Sequence, residues 1–107
     1  MTKYGNKKAM RGNITFDSIK EAARYDELIL LLRAGRITEL RLQPEFTLQE
    51  AFTTPQGEHI RAIRYRADFQ YIQDGETIVE DVKGFRTKDY ELKRKFMAGK
   101  GITIREI

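Results

Sequence analysis

Three charged side chains, Asp68, Asp81 and Lys83, fall within "YRADFQYIQDGETIVEDVKGF", Tyr65 to Phe85, a stretch that otherwise reads as two apolar strands joined by a tight turn. In a hairpin centred on Asp74 and Gly75, Asp68 lies directly opposite Asp81. Opposed side chains sit about 5 Å apart at their β-carbons, where like charges destabilise a sheet. Arg66 faces Lys83 in the same register, because residues two apart on a strand share a face. A purely structural hairpin has little reason to set like against like twice. Two converging carboxylates make sense around a hard divalent cation, since Mg2+ takes one or two carboxylates and leaves its other positions to water and substrate phosphates. Lys83, beside Asp81 on that face, would then address the same phosphate or the attacking water. A three-residue loop would instead put Asp68 opposite Glu80 and turn Asp81 to the other face. The first register leaves Glu80 beside Phe69, on the face of Ala67, Tyr71, Ile78 and Val82, where it needs a nearby helix, a basic side chain or a strand edge.

The elements that must position these groups follow from local signals. "FDSIKEAARYDELILLLRAGR" is the clearest helix: Ser18 is an N-cap, Glu21 stands three residues later as a capping-box partner, and Gly35 supplies a left-handed stop. Its expected apolar stripe is Ile19, Ala22, Ala23, Ile29, Leu30 and Leu32. Leu40, Leu42, Phe46 and Leu48 alternate with polar neighbours as in a half-buried strand, which Pro44 must break or begin. Ile60 to Ile72 is predicted as one long strand and Thr77 to Lys83 as its hairpin partner. A second helix is expected from the cap Thr87 to about Ala98, closing at Gly99 and Gly101, before a final strand in "ITIREI". The order is helix, three strands, helix, strand. Residues 1–13, with Gly5 and Gly12, read as a loosely packed basic arm.

Composition bounds the partners. The 107 residues fit a single domain with one core, and 40% apolar against 34% charged residues argues for a globular chain. No apolar run approaches the roughly 20 residues of a membrane span, and "MTKYGNKKAMRGN" lacks the apolar stretch of a signal peptide, so a cytoplasmic location is expected. With no cysteine and His59 as the sole histidine, any metal must be held by oxygen. The net charge of +4 is compatible with a polyanion. Lys3, Lys7, Lys8 and Arg11 crowd the start without an acid, and Arg86, Lys88, Lys93, Arg94 and Lys95 gather near the second helix.

Asp68 followed by Asp81-Val82-Lys83 on adjacent strands, behind a helix carrying Glu21, resembles the PD-(D/E)XK nuclease superfamily. "KYGNKK", "ITFDSIKEAARYDEL", "LQPEFTL", "YRADFQY" and "VEDVKGF" are similar, more narrowly, to a phage-encoded family of small nuclease-fold proteins, over about Lys3 to Lys95. The resemblance implies an α/β (α+β) fold with a restriction-endonuclease-like core of order α-β-β-β-α-β, a central mixed sheet flanked by helices. It places Asp68 and Asp81 as the two strand acids, Lys83 as the catalytic lysine, and Glu21 as the acid that many members contribute from the first helix. Ala67 stands where the named motif has proline. The implied activity is a Mg2+-dependent endodeoxyribonuclease, with Mn2+ substituting. Asp68, Asp81, Glu21 and the Val82 carbonyl would hold the metal, and Lys7, Lys8, Arg86, Lys88, Lys93 and Lys95 would track the nucleic-acid backbone. The expected substrate is branched, flap or end-containing DNA in phage replication or recombination, within a bacterial host and outside any membrane. Cutting two strands needs two sites, which a homodimer would supply.

Plainer roles compete for the same residues. Glu21 would serve as a capping residue through the Ser18 amide, and the two aspartates would pair diagonally with Arg66 and Lys83. Gln43 and Pro44 would frame the rim of the site or form a turn. Tyr90 would stack on a base or pack as an ordinary aromatic. His59 is expected to be exposed and uninvolved. A binding protein without cleavage activity, or a small RNA-processing nuclease, would share the fold.

Overall fold

Local chemistry sets where the helices begin and end. The computed structural model describes residues 7–82 and 86–107. Helix α1, Ile19–Arg33, opens at Ser18, whose hydroxyl accepts the Glu21 amide at 3.0 Å. It closes in a Schellman arrangement: Gly35, at φ 73°, donates to the Leu32 carbonyl and Arg36 to that of Leu31. Helix α2, Lys88–Gly99, repeats the pattern, with Thr87 accepting the Tyr90 amide at 3.0 Å and Ile102 bonding back to Met97 beyond left-handed Gly101. Among the described residues neither helix is long and apolar enough to cross a membrane.

The protein is a mixed α+β structure. Its strands are β1 (Ala9–Arg11), β2 (Ile14–Phe16), β3 (Thr38–Leu42), β4 (Glu45–Gln49), β5 (Phe52–Thr53), β6 (His59–Ile60), β7 (Ile63–Arg66), β8 (Phe69–Gln73), β9 (Glu76–Asp81) and β10 (Ile104–Glu106). A four-stranded mixed sheet runs β10-β9-β8-β3, with β9 and β10 parallel and the other neighbours antiparallel. Helix α1 precedes β3, and α2 connects β9 to β10. Between β3 and β8 the chain makes a separate antiparallel excursion, β4 with β7 and β5 with β6. The expected order had no place for this excursion or for the β1–β2 hairpin.

Several expectations change accordingly. From Ala9 the basic segment is not a loose arm: it pairs as β1–β2 and is tied to α1 by Arg11 Nε, 2.8 Å from Asp26 Oδ1. The strand foreseen across Leu40 to Leu48 divides at Gln43 and Pro44 into two strands of different sheets. The α1 stripe is also redrawn. Ile19 and Leu30 are 60% and 66% exposed, while Glu21, Ala22 and Leu28 are buried and Tyr25 and Leu31 pack against the core.

The β8–β9 hairpin keeps the first of the two registers weighed, with Phe69 opposite Glu80 and Gln73 opposite Glu76 around a two-residue turn. Asp74 at φ 52° and Gly75 at φ 79° both occupy the left-handed region that such a turn demands. The long strand predicted from Ile60 to Ile72, however, is interrupted. Tyr65 and Ala67 pack in a cluster with Leu48, Val79, Tyr90, Met97 and Ile104, toward α2. Phe69 and Tyr71 pack in a second cluster with Phe16, Ala22, Leu28 and Ile37, toward α1. Four residues at strict alternation in the sequence therefore face opposite layers, and the reversal falls at Asp68.

Glu80, on the α1 side, is fully buried and fully served. Arg24 of α1 donates to it from Nε at 2.9 Å and Nη2 at 2.6 Å, Tyr71 donates its hydroxyl, and Arg105 of β10 supports that hydroxyl at 3.1 Å. The helix and the basic side chain that this carboxylate requires are both supplied by Arg24.

Candidate functional site

Asp68 is placed by its backbone before its side chain does anything. Its amide donates to the Glu80 carbonyl at 3.0 Å, and its own carbonyl accepts the Gln43 amide at 2.9 Å. Gln43 adopts φ 51° directly before Pro44, and the Pro44 carbonyl takes the Ala67 amide at 3.0 Å. The chain on both sides of Asp68 is thus fixed by the β3–β4 junction. Its Oδ2 accepts the Val82 amide at 2.6 Å.

Asp81 ends β9 and is 4% exposed. Tyr65 donates its hydroxyl to Asp81 Oδ2, and the burial of that hydroxyl together with this bond raises the phenol's pKa. Burial pushes Asp68 up to about 7; the Val82 amide opposes this, and the proximity of Glu21 and Asp81 adds to it.

Glu21 completes the acidic group from α1. It is 4% exposed, and its Oε2 is buried with no hydrogen-bond partner. Burial is the main reason its pKa is raised; the charge of Asp17 adds to this, the Asp17 amide offsets part of it, and the charge of Asp81 adds further. The Ser18 hydroxyl holds the Glu21 backbone, so Glu21 takes part in the cap through its amide while its carboxyl is directed inward. A cavity of about 130 Å³ lies against Glu21, Asp68, Gln43 and Thr15, room for a few water molecules. Gln43 is therefore both a strained turn residue and part of the rim.

The donor set consists of hard carboxylate oxygens, one of them buried without a partner, which suits an oxygen-seeking divalent cation. Among the described residues, no group of three or more His, Cys, Asp or Glu side chains is gathered closely enough to hold a metal ion. Asp68 feels the charges of both Glu21 and Asp81. Val82 contributes its amide to Asp68. Lys83 lies outside the described residues, as does Lys3.

The basic residues divide. Lys7, Lys8, Lys88 and Lys95 are exposed. Lys93 is 3.3 Å from Asp89. Arg86 is committed to Glu106, at 2.7 Å, and Glu91, at 2.6 Å. Tyr90 is buried and donates its hydroxyl to Glu106 at 2.7 Å, so it has no face to stack on a base. Its position among lysines in the sequence concealed that it points inward. His59 is exposed, at the base of the β5–β6 turn. Tyr65 is the site residue that spacing did not single out. The available signal was chemical: a tyrosine in an apolar cluster must find a partner for its hydroxyl.

A family model described as "Protein of unknown function (DUF1064)" matches residues 1–106, and the chain belongs to that family. Neither the curated proteins nor the solved structures give a significant match.

Proposed function

We propose that this family member is a divalent-metal-dependent endonuclease of the PD-(D/E)XK kind, acting on the phosphodiester backbone of branched, flap or end-containing DNA in the cytoplasm of a phage-infected or lysogenic host. The observation that carries the reading is the Asp68–Asp81 carboxyl pair, where the inner strand β8 begins and the inner strand β9 ends, with the partnerless Glu21 oxygen beside it. The order α1, β3, β8, β9, α2, β10 across the mixed sheet supports it, since a restriction-endonuclease-like core would use those six elements and treat β4 to β7 as an insertion.

Asp68, Asp81 and Glu21 would hold Mg2+ or Mn2+. When bound, the metal supplies Lewis-acid polarisation of a phosphoryl oxygen and lowers the pKa of a coordinated water. The chain's own contribution is orientation. The Val82 amide and the Tyr65 hydroxyl each bind one carboxylate oxygen, Oδ2 of Asp68 and Oδ2 of Asp81, and so fix both groups. Lys83, two residues past Asp81, would offset charge developing on the phosphate.

A second reading is favoured by one observation. The described residues gather no three-carboxylate metal group, and a binding protein that keeps the fold without cleavage would need none. One assay separates the two: incubation with duplex, single-stranded, flap, four-way-junction and RNA substrates in Mg2+, Mn2+ or EDTA. Metal-dependent cleavage of DNA that is lost in Asp81→Ala is the expected result. Retention of DNA with no cleavage of any substrate would leave the binding reading, and preferential cutting of the RNA would reassign the substrate.

A further inference from the structure

The excursion β4–β7 returns to the sheet beside α2, and the space between them forms a groove of about 510 Å³. Arg64, Arg66 and Lys93 line it, with Glu45, Asp89 and the Tyr65 whose hydroxyl holds Asp81. Among the described residues β7 pairs only with β4.

We propose that this groove seats the phosphodiester backbone of the nucleic-acid strand and leads it to the Asp68–Asp81 pair, with Arg64 and Arg66 contacting successive phosphates. The destination of the strand rests on the nuclease reading above; the groove's affinity for phosphate does not. Arg64 and Arg66 are exposed and two apart on one strand, about 6.6 to 6.8 Å along it, a spacing that suits neighbouring phosphates of a single extended strand. Three cations meet two carboxylates, and the carboxylates hold them weakly. Arg64 and Glu45 are 3.9 Å apart with both side chains more than half exposed, and the pair Lys93–Asp89 is an i,i+4 contact on the helix surface. Pairs of this kind contribute little, so a phosphate can displace the carboxylate without a large cost. Tyr65 touches both places: it lines the groove, and its hydroxyl bonds Asp81.

The test is the salt dependence of binding by the full chain, read by fluorescence anisotropy in Ca2+ buffer on labelled duplex DNA, single-stranded DNA and matched RNA. Arg64→Gln/Arg66→Gln should lower the slope of log affinity against log salt by about 1.8 on the duplex and about 1.4 on the single strand, at about 0.9 and 0.7 for each lost phosphate contact. The unfolding temperature should match wild type, and Arg36→Gln/Lys100→Gln, at exposed positions outside the groove, should leave the slope unchanged. The stronger retention of DNA or of RNA identifies the strand. A slope in the double variant equal to that of wild type overturns the groove, as does a wild-type protein that retains neither nucleic acid. A fallen slope with no cleavage in Mg2+ or Mn2+ keeps the groove and removes the nuclease reading; cleavage with an unchanged slope does the reverse.

Discussion

Buried beside Glu21 and Asp81, the Asp68 carboxyl holds its proton up to about pH 7, whereas its ordinary value is 3.8. The folded chain therefore binds that proton more tightly than the unfolded chain between the two values. The stability this provides is complete below the lower value and is lost as pH rises through the upper one. Metal-free protein in EDTA should show a contribution to the unfolding temperature that falls between roughly pH 4 and pH 7, and Asp68→Asn should remove most of that fall. A divalent ion favours the ionised pair, so Mn2+ should raise the unfolding temperature more at the alkaline end than at the acidic end, as a pH series of thermal melts would record. Tyr65→Phe deletes the donor to Asp81 Oδ2; a loss of roughly 1.5 to 3 kcal/mol in urea unfolding is expected for a hydrogen bond to a charged group. The aspartate pair was legible because a two-residue turn fixes which residues oppose one another. Tyr65 was not, because its partner lies sixteen positions away and on another strand.

At the level of elements, everything that depended on a few adjacent residues could be read in advance. Ser18, Gly35, Thr87 and Gly101 act through bonds within one helical turn, and the Asp74–Gly75 turn acts through two backbone angles. The stripe on α1 was misread because its inward face also carries the charges Glu21 and Arg24, which alternation of apolar residues cannot reveal. The reversal at Asp68 was equally hidden, since Tyr65, Ala67, Phe69 and Tyr71 keep a perfect two-residue period across it. Arg24 now has a definite weight. Arg24→Ala strands the buried Glu80 carboxylate and should cost about 3 to 5 kcal/mol in chemical denaturation. Adding Glu80→Gln should recover part of it, because the uncompensated charge is then gone. If the single variant were as stable as wild type, the helix would not be anchored to the sheet through this pair.

Across the whole molecule, the mixed α+β character followed from the sequence order of helices and strands, but the insertion of β4 to β7 did not. Pro44 announced a break without saying that the chain would leave one sheet for another. The nuclease reading predicts that Asp81→Ala abolishes metal-dependent cleavage; because the variant also strands the buried Tyr65 hydroxyl, its metal-free stability should fall by about 1 to 3 kcal/mol. Parallel gel assays and EDTA melts decide it. Paired cuts on a four-way junction further require two active sites, so the cutting species should sediment as a dimer on that substrate.

The acids sit on the seam between two separately packed halves. Asp68 lies at the point where the chain passes from the α2 side to the α1 side, Asp81 leans on the first through Tyr65, and Glu21 comes from the second. An ion gripped there would stitch the halves together, so slow amides in both, Met97 on one side and Leu28 on the other, should gain protection from hydrogen exchange in step as Mn2+ is added.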